Sequence, residues 1–234
     1  RYGSAVYWVG DNGIIKNSYF VDNHVGDTAG LVYWEGENGK ILNSQFKDNQ
    51  DRLIWYGEKG TVENSNFTKT DMTWAGQYGV LDNCNFKDIV ESSALRQPLR
   101  WNGDYGLVKN SNFFNNFGVS GGAVALIGSH SSINNCKFIN NSATEYGAVL
   151  WHSLDMSIEN SIFINNHAET GGAINFNYHS NKLTNCKFID NSADDGSGAI
   201  YFSTAIASHS IRNVNAIVSN CICDFFKLIS NICF

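Results

Sequence analysis

Apolar residues recur in this chain at fixed distances from a short motif, Asn-Ser/Cys-x-Phe, which occurs eight times. The Asn residues of the motif, with a mean period of about 24 residues, are Asn17, Asn43, Asn64, Asn83, Asn110, Asn135, Asn160 and Asn185. An apolar residue stands eleven, nine and two positions before each Asn, and a Phe stands three positions after it. The position nine before the Asn uses all six Trp of the chain. Repetition at this period is typical of solenoids, in which each repeat buries its apolar row against the next.

The offsets of these rows predict three short strands in each repeat. Side chains that face the same side of a strand alternate with a period of two. The positions eleven and nine before the Asn therefore belong to one strand, and the position two before it belongs with the Asn to a second. The Ser or Cys and the Phe are out of phase with the second strand, so the chain bends after the Asn and a third strand follows. This pattern predicts an all-β fold, a right-handed parallel β-helix of about eight to nine coils stacked about 4.8 Å apart.

The return segments distinguish the β-helix from two other repeat folds. Leucine-rich repeats have a similar period, but they need several Leu in each strand and a helical return, whereas the returns here are G-x-x-G or rich in Ser and Asn. A propeller blade needs about 40 residues. The agreement of eight repeats at five offsets favours the β-helix.

Changes in the connections divide the predicted solenoid into three parts. Residues 1–109 contain the Trp row and five G-x-x-G turns, in which we expect the Gly to supply a positive φ. Residues 110–205 continue the same solenoid with G-G-A and F-x-x-N motifs. Residues 206–234, with Cys221, Cys223 and Cys233, are interpreted as a degenerate last coil or a C-terminal cap that covers the exposed strands.

The repeats also suggest structural roles for two abundant or reactive residue types. The chain contains 31 Asn, and we expect the Asn at the bend to form a buried ladder in which side-chain amides hydrogen bond from coil to coil. Cys84, Cys136 and Cys186 stand where other repeats have Ser, which predicts small inward-facing side chains. They are at least two coils, roughly 10 Å, apart, too far for disulfides.

Charge and motif content argue against several classes of partner. Sixteen Lys and Arg against 22 Asp and Glu give a net charge of −6, which disfavours nucleic acid. No apolar run reaches the roughly 18 residues of a membrane span, so we expect no membrane insertion by this fragment. The first residues do not resemble a signal peptide, and the repeat is already under way there, so we treat the chain as part of a longer protein. No cofactor motif is present, and six His at unequal offsets do not indicate a metal site.

The later repeats resemble those of known surface proteins. Two repeats have a G-G-A motif before the first strand of the repeat, G-G-A-V at 121–124 and G-G-A-I at 171–174. The third strand of two repeats ends in F-I-N-N, at 138–141 and 163–166. This pairing resembles the repeats of chlamydial polymorphic membrane proteins and of adhesin-like surface proteins of methanogenic archaea, most clearly over about residues 110–205. The resemblance implies a β-helix in an exported, surface-anchored stalk or adhesin.

These features favour a non-catalytic extracellular module at the cell surface, an adhesin or a cell-envelope stalk that presents loops from a rigid β-helix. The expected partners are a cell-surface glycan or protein, or a neighbouring envelope protein. All length variation lies between the Phe and the next Trp position, which predicts loops along one edge of the rod. The longest connection, 87–100, contains the only Pro and the cations Arg96 and Arg100, which we predict to bind the partner.

The main alternative is a polysaccharide lyase or glycoside hydrolase that acts along a groove of the β-helix. An outward row places Glu63, Asp82 and Lys109 on successive coils. Carboxylates about 5 Å apart at the backbone are close enough to act as a pair in glycan cleavage. Such a row also carries charges on any soluble rod, and the neighbouring rows add no further catalytic groups. A phage-type receptor-binding spike is less consistent with the sequence, because no heptad segment is present to form a trimer.

Overall fold

The computed structural model of the chain describes residues 3–24, 30–176, 181–202 and 217–224. Within these ranges all regular secondary structure is β-strand. Three parallel sheets of nine strands each extend along the molecule, and each coil contributes one strand to each sheet. The predicted parallel β-helix is confirmed, with three main strands per coil.

The strands are short, and their bounds follow the repeat. Sheet 1 consists of Gly3–Trp8, Gly30–Trp34, Leu53–Trp55, Met72–Trp74, Leu99–Trp101, Val124–Leu126, Val149–Trp151, Ile174–Phe176 and Ile200–Phe202. Sheet 2 consists of Ile14–Lys16, Lys40–Leu42, Thr61–Glu63, Val80–Asp82, Leu107–Lys109, Ser132–Asn134, Ser157–Glu159, Lys182–Thr184 and Ile217–Ser219. Sheet 3 consists of Tyr19–Val21, Gln45–Lys47, Asn66–Thr68, Asn85–Lys87, Asn112–Phe114, Lys137–Ile139, Ile162–Ile164, Lys187–Ile189 and Ile222–Asp224.

A fourth sheet, which the three-strand pattern did not predict, forms in the later coils. Sheet 4 consists of Phe117–Ser120, Ser142–Tyr146, His167–Ala168 and Ser192–Ala193. It lies in the connection from the Phe row to sheet 1, which has the same length of thirteen residues in three successive coils. Similar lengths let these segments pair side by side, although the first pair has a register shift between Gly118 and Ser120.

The core consists of aromatic stacks that run along the solenoid. Trp34, Trp55, Trp74 and Trp101 are fully buried, and their neighbouring rings are 4.6–4.9 Å apart and nearly parallel. Leu126 then interrupts the Trp row, because it occupies the position between two Trp-bearing coils. A second stack of Phe rings is continuous, with neighbouring centroids 4.5–5.1 Å apart, from Phe20 through Phe46, Phe67, Phe86, Phe113, Phe138 and Phe163 to Phe188.

The glycines of the G-x-x-G turn provide space rather than a positive φ. A Cβ at Gly39 would overlap the indole ring of Trp34, and a Cβ at Gly36 would overlap the carbonyl oxygen of Gly10 in the preceding coil. The indole Nε1 of Trp34 donates a hydrogen bond to the Gly36 oxygen at 3.0 Å. The left-handed residue of this turn is instead Asn38, with φ 53°. The turn is confirmed, but the conformational role expected for the glycines is wrong.

The bend Asn side chains hydrogen bond from coil to coil, as predicted, but they are exposed, so the expected burial of this ladder is wrong. Asn64 and Asn83 adopt φ near 50°, and Asn83 Nδ2 donates to Asn64 Oδ1 at 2.7 Å at the surface. The buried ladder is formed by the Asn of the F-x-x-N motif. Asn141 Nδ2 donates to Asn166 Oδ1 at 3.1 Å and to the Phe113 carbonyl at 3.0 Å. Bend Asn residues therefore adopt the left-handed conformation that Asn tolerates, and the motif Asn satisfies buried backbone groups.

The three Cys of the Ser position are buried and free, as predicted. Burial raises the pKa of Cys84, Cys136 and Cys186 to about 12, so these thiols are protonated at neutral pH. Ser111 shows the role of the position: its Oγ accepts from the Cys84 backbone N at 3.1 Å and donates to the Lys109 carbonyl at 2.7 Å.

The repeat continues into residues 217–224. Asn220 keeps the left-handed bend with φ 52°, and Cys223 pairs with Phe188 in sheet 3. These residues supply the ninth strands of sheets 2 and 3. The rest of the region 206–234, including Cys233, lies outside the described residues.

Candidate functional site

The predicted carboxylate row lies on the outer side of sheet 2. Asp82 pairs in register with Glu63 on one side and Lys109 on the other. Lys109 Nζ lies 3.2 Å from Asp82 Oδ2, and Asn110 Nδ2 donates to Asp82 Oδ1 at 2.7 Å. The structure therefore brings the three residues together as predicted. Both oxygens of Asp82 already have partners, which leaves this carboxylate poorly placed to accept a proton from a substrate.

The long connection 87–100 folds back onto the rod over most of its length. Ile89, Gln97 and Pro98 are buried, and Val90 forms a β-bridge with Phe117. Ser92–Leu95 forms an exposed tip, and the side chains of Lys87 and Val90 are exposed as well. The projecting part of this connection is therefore much shorter than its sequence length indicated.

Arg96 holds the end of this connection to the body of the solenoid. Its Nη2 lies 2.7 Å from Asp71 Oδ1, and its Nε lies 3.2 Å from Asp71 Oδ2 and 3.1 Å from Glu91 Oε2. The Asp71 side chain is 3% exposed and the Glu91 side chain 11% exposed. A two-pronged Arg–carboxylate contact of this kind is strong and directional. The role of Arg96 in partner binding stays a prediction, and its guanidinium is already held by two carboxylates.

Glu91 has an unusual protonation equilibrium. Burial and the negative charge of Asp71 raise the pKa of Glu91 to about 7, although Arg96 and Arg52 oppose the shift. Because this pKa lies above the ordinary value of 4.5, the folded chain binds a proton more tightly than the unfolded chain. The stability that this group contributes is complete below pH 4.5 and is lost as the pH rises through 7.

Arg100 and Arg96, the two predicted partner-binding residues, have different hydrogen-bond partners: Arg96 contacts Asp71 and Glu91, whereas Arg100 contacts Gln97. Arg100 is in sheet 1, in register with Thr73, and its Nη1 donates to Gln97 Oε1 at 3.1 Å. Arg52 Nη1 donates a hydrogen bond to Oγ1 of the same Thr73 at 3.2 Å. Burial and the positive charge of Arg52 lower the pKa of Arg100. Within the described ranges no carboxylate forms an ion pair with Arg100.

Three tyrosines continue the outer side of sheet 1 toward its first strand. The rings of Tyr7 and Tyr33 are 5.7 Å apart and tilted by 46°, and those of Tyr33 and Tyr56 are 5.3 Å apart and tilted by 42°. Tyr7 is 43% and Tyr56 47% exposed. Because the planes are tilted, neighbouring rings do not cover each other's faces completely.

A second exposed aromatic row occupies the turns after sheet 1. Tyr78, Tyr105 and His130 stack with centroids 4.9 and 4.8 Å apart and planes within 13°. These rings cover one another, so mainly their edges face the solvent. A shallow depression of about 580 Å³ opens beside the same turns and is lined by Asn12, Ile14, Asn38, Lys40 and Lys59.

Sheet 4 places a His between a hydroxyl and a carboxylate. His167 Nδ1 lies 3.0 Å from Ser192 Oγ, and its Nε2 lies 3.5 Å from Asp194 Oδ2. The side chains of His167 and Asp194 are 44% and 75% exposed. Water therefore competes for each contact, and the three side chains form an exposed surface arrangement rather than a buried catalytic triad.

No helix in the described part of the chain is long and apolar enough to cross a membrane. Across the same residues, the His, Cys, Asp and Glu side chains form no group of three or more that could hold a metal ion.

Sequence reasoning missed the cluster of Arg52, Asp71, Glu91 and Arg96. Arg52 and Asp71 each stand immediately before the first strand of adjacent repeats, so the repeat offset alone would have placed them side by side. The positions of Glu91 and Arg96 depend on how the connection 87–100 folds back onto the rod. This connection does not repeat, so the periodicity of the sequence could not predict them.

Comparison with known proteins adds no family to this picture. No protein-family model matches the chain, and the curated proteins searched give no significant match. The resemblance to polymorphic-membrane-protein repeats and methanogen adhesins stays a prediction from the G-G-A and F-x-x-N motifs. The structure thus identifies the chain as a parallel β-helix, and sequence comparison assigns it to no family.

Proposed function

We propose that this chain is a non-catalytic module of an extracellular surface protein, an adhesin or a cell-envelope stalk. The observation that carries the proposal is that two carboxylates on the outer side of the sheets are already bound by side chains of the same chain. Asp82 is held by Lys109 and Asn110, and Asp71 is held by Arg96 and Arg52. Carboxylates with cationic partners from the same chain stabilise a surface, whereas catalysis of glycan cleavage needs a carboxyl group that is directed at the substrate.

The internal stacks support the role of a rigid stalk. Each coil buries aromatic rings against both neighbours, so the rod resists bending between adjacent coils. Nine strands at about 4.8 Å give a length of about 38 Å for this segment. A repetitive rod with low charge and short exposed loops suits presentation of a binding face away from a surface.

A polysaccharide-cleaving enzyme is the second candidate, and one observation favours it. The pKa of Glu91 is raised to about 7 by burial and by Asp71, which is the range expected of a general acid at neutral pH. Arg96 lies between the two carboxylates and bonds to both. A substrate would have to displace this guanidinium to reach them, and for that reason we rank the enzyme second.

One experiment separates the two candidates. The purified chain is tested for binding to immobilised glycans and cell-surface proteins, and in parallel for cleavage of acidic polysaccharides by release of new chain ends. We expect binding without cleavage, and we expect Glu63→Gln and Asp82→Asn to bind like the wild type. Cleavage that disappears in Asp82→Asn or in Glu91→Gln would establish the enzyme instead.

A further inference from the structure

We propose that the outer face of sheet 3 in the later coils is a contact surface for a second copy of this chain, and that the two rods associate side by side and parallel. The centre of this surface is a column of four apolar residues, Phe114, Ile139, Ile164 and Ile189, which we call the apolar column. Charged residues on its two sides determine how the copies align. The inference concerns the assembly of the chain and does not depend on the adhesin or stalk function.

The apolar column lies on the outer side of sheet 3. Each of its residues follows a buried Phe of the internal stack, as Ile139 follows Phe138, so its side chain lies on the opposite side of the strand. The four residues are register partners from coil to coil, and the three steps between them span about 14 Å at the spacing of parallel strands. All four side chains are half-buried. The column is therefore a continuous apolar strip that is partly in contact with solvent.

The stacking of coils does not require apolar residues at this position. The same position holds Lys47, Thr68 and Lys87 in the three coils that precede Phe114. The internal Phe stack continues unchanged through both parts of the rod, so the change from polar to apolar residues is confined to the outer side. A contiguous apolar strip with polar residues around it is typical of a protein–protein contact surface.

The two sides of the apolar column carry opposite charges. On one side, two residues earlier in the strands, stand Lys137 and Lys187. On the other side, beyond the bend that ends sheet 3, stand Glu169, Asp190 and Asp195. All five residues are exposed, and none of them forms an ion pair with another residue of the described ranges. Unpaired charges of opposite sign on the two sides of one strip make this face complementary to itself.

The charges select a parallel arrangement of the two rods. In a contact between identical faces, the two-fold axis lies in the plane between them. An axis parallel to the rods places the Lys side of one copy opposite the acidic side of the other, so that Lys187 faces Asp190 of the second copy. An axis along the strands makes the rods antiparallel and places the Lys side of one copy opposite the Lys side of the other, which is repulsive. In the parallel pair the same coils of both copies lie side by side.

The size of the face indicates a weak dimer. Four coils extend for about 19 Å along the rod, and a strand with its flanking bends extends for about 20 Å across it. The resulting area of about 400 Å² on each copy is below the roughly 800 Å² of a standard stable interface. Exposed ion pairs contribute little affinity and mainly fix the orientation, so the apolar column supplies most of the attraction. Association should therefore depend strongly on protein concentration in the micromolar to millimolar range.

Analytical ultracentrifugation of the full chain, from about 1 μM to about 1 mM, tests the proposal. We expect the mean mass to rise from that of the monomer toward twice that value. Ile164→Lys should weaken association about tenfold or more and keep the wild-type circular dichroism, because Lys47 and Lys87 occupy the same position in other coils. Thr68→Lys, the matched control outside the apolar column, should associate like the wild type. A monomer at every concentration would overturn the proposal and leave the column to a different partner protein, and so would a trimer or undiminished association in Ile164→Lys.

Charge reversal tests the orientation. Lys187→Glu should weaken association about fivefold or more, because it places a carboxylate opposite Asp190 of the second copy. The double variant Lys187→Glu with Asp190→Lys should associate like the wild type. Lys16→Glu on sheet 2 makes the same change in net charge away from the face and should have no effect. Stronger association of Lys187→Glu would refute the parallel arrangement, since in antiparallel rods the new Glu would face the Lys side of the second copy. A double variant as weak as Lys187→Glu would refute the proposed pairing with Asp190.

Discussion

Removal of one indole from the middle of the Trp stack should destabilise this chain far more than removal of an outward aromatic ring beside it. Trp74 is fully buried between Trp55 and Trp101, with ring centroids 4.9 and 4.6 Å away. Its Nε1 donates to the Gly76 carbonyl at 3.0 Å. Trp74→Ala removes both stacking contacts and this hydrogen bond, while Tyr33→Ala removes a half-buried ring from the outer side of the same sheet.

The magnitude follows from the contacts. Truncation of a buried Trp costs about 3–5 kcal/mol in total, and the loss of two stacked neighbours places Trp74 toward the upper end of this range. The lost hydrogen bond leaves a buried carbonyl unpaired, which costs about 1 kcal/mol or more. We therefore expect Trp74→Ala to lower the free energy of unfolding by about 5 kcal/mol, and Tyr33→Ala by about 1–2 kcal/mol. The larger loss is comparable with the whole stability of many domains, about 5–15 kcal/mol.

The assay is urea unfolding of both variants and the wild type, followed by far-ultraviolet circular dichroism. Because repeat proteins can unfold in segments, the transition midpoints are compared at several wavelengths and protein concentrations. A much lower midpoint for Trp74→Ala than for Tyr33→Ala is expected. Equal midpoints would mean that the stack does not carry the stability assigned to it here.

Three further changes test other parts of the structure. Gly39→Ala should lower the melting temperature by several degrees, because the added methyl overlaps an indole ring, and an unchanged value would contradict the close packing. The wild type should lose stability in urea as the pH rises from about 5 to 8, and Glu91→Gln should flatten this dependence; equal pH profiles would exclude Glu91 as the group responsible. Replacement of Ser92–Leu95 by two Gly should leave the melting temperature nearly unchanged. Extension of that deletion through Arg96 should cost about 3 kcal/mol or more, since the buried Asp71 loses its main partner, and equal stability of the two deletions would refute the anchoring role.

The parts of the fold that repeat could be predicted from the sequence. Trp74 and Phe86 recur at one offset because a parallel β-helix buries the same position of each coil, so the strands and the stacks follow from period and phase. The same reasoning placed Glu63, Asp82 and Lys109 in one row. Residues at the same offset in successive repeats lie side by side in the solenoid.

The predictions were wrong where a residue recurs in every repeat but more than one structural role would explain its recurrence. A repeated Gly is compatible with a positive φ or with close packing, and only the position of the Trp34 indole shows that Gly39 is needed for space. Two Asn columns recur equally well, and the side on which the chain bends decides that Asn141 is buried while Asn135 is exposed. The contact of Arg96 with Asp71 depends on a connection that occurs once, so no period could indicate it.

The first Gly of each turn has a consequence for how such a rod can change its length. A Cβ at Gly57 would overlap the Gly36 carbonyl, and a Cβ at Gly76 would overlap the Gly57 carbonyl, so the backbones of successive coils touch through these glycines. A single substitution therefore disturbs a junction between two coils, whereas duplication or loss of a whole repeat recreates the same junction. Gene duplication in units of one coil is the change that this architecture accepts most readily, and the rod can lengthen or shorten in steps of about 4.8 Å.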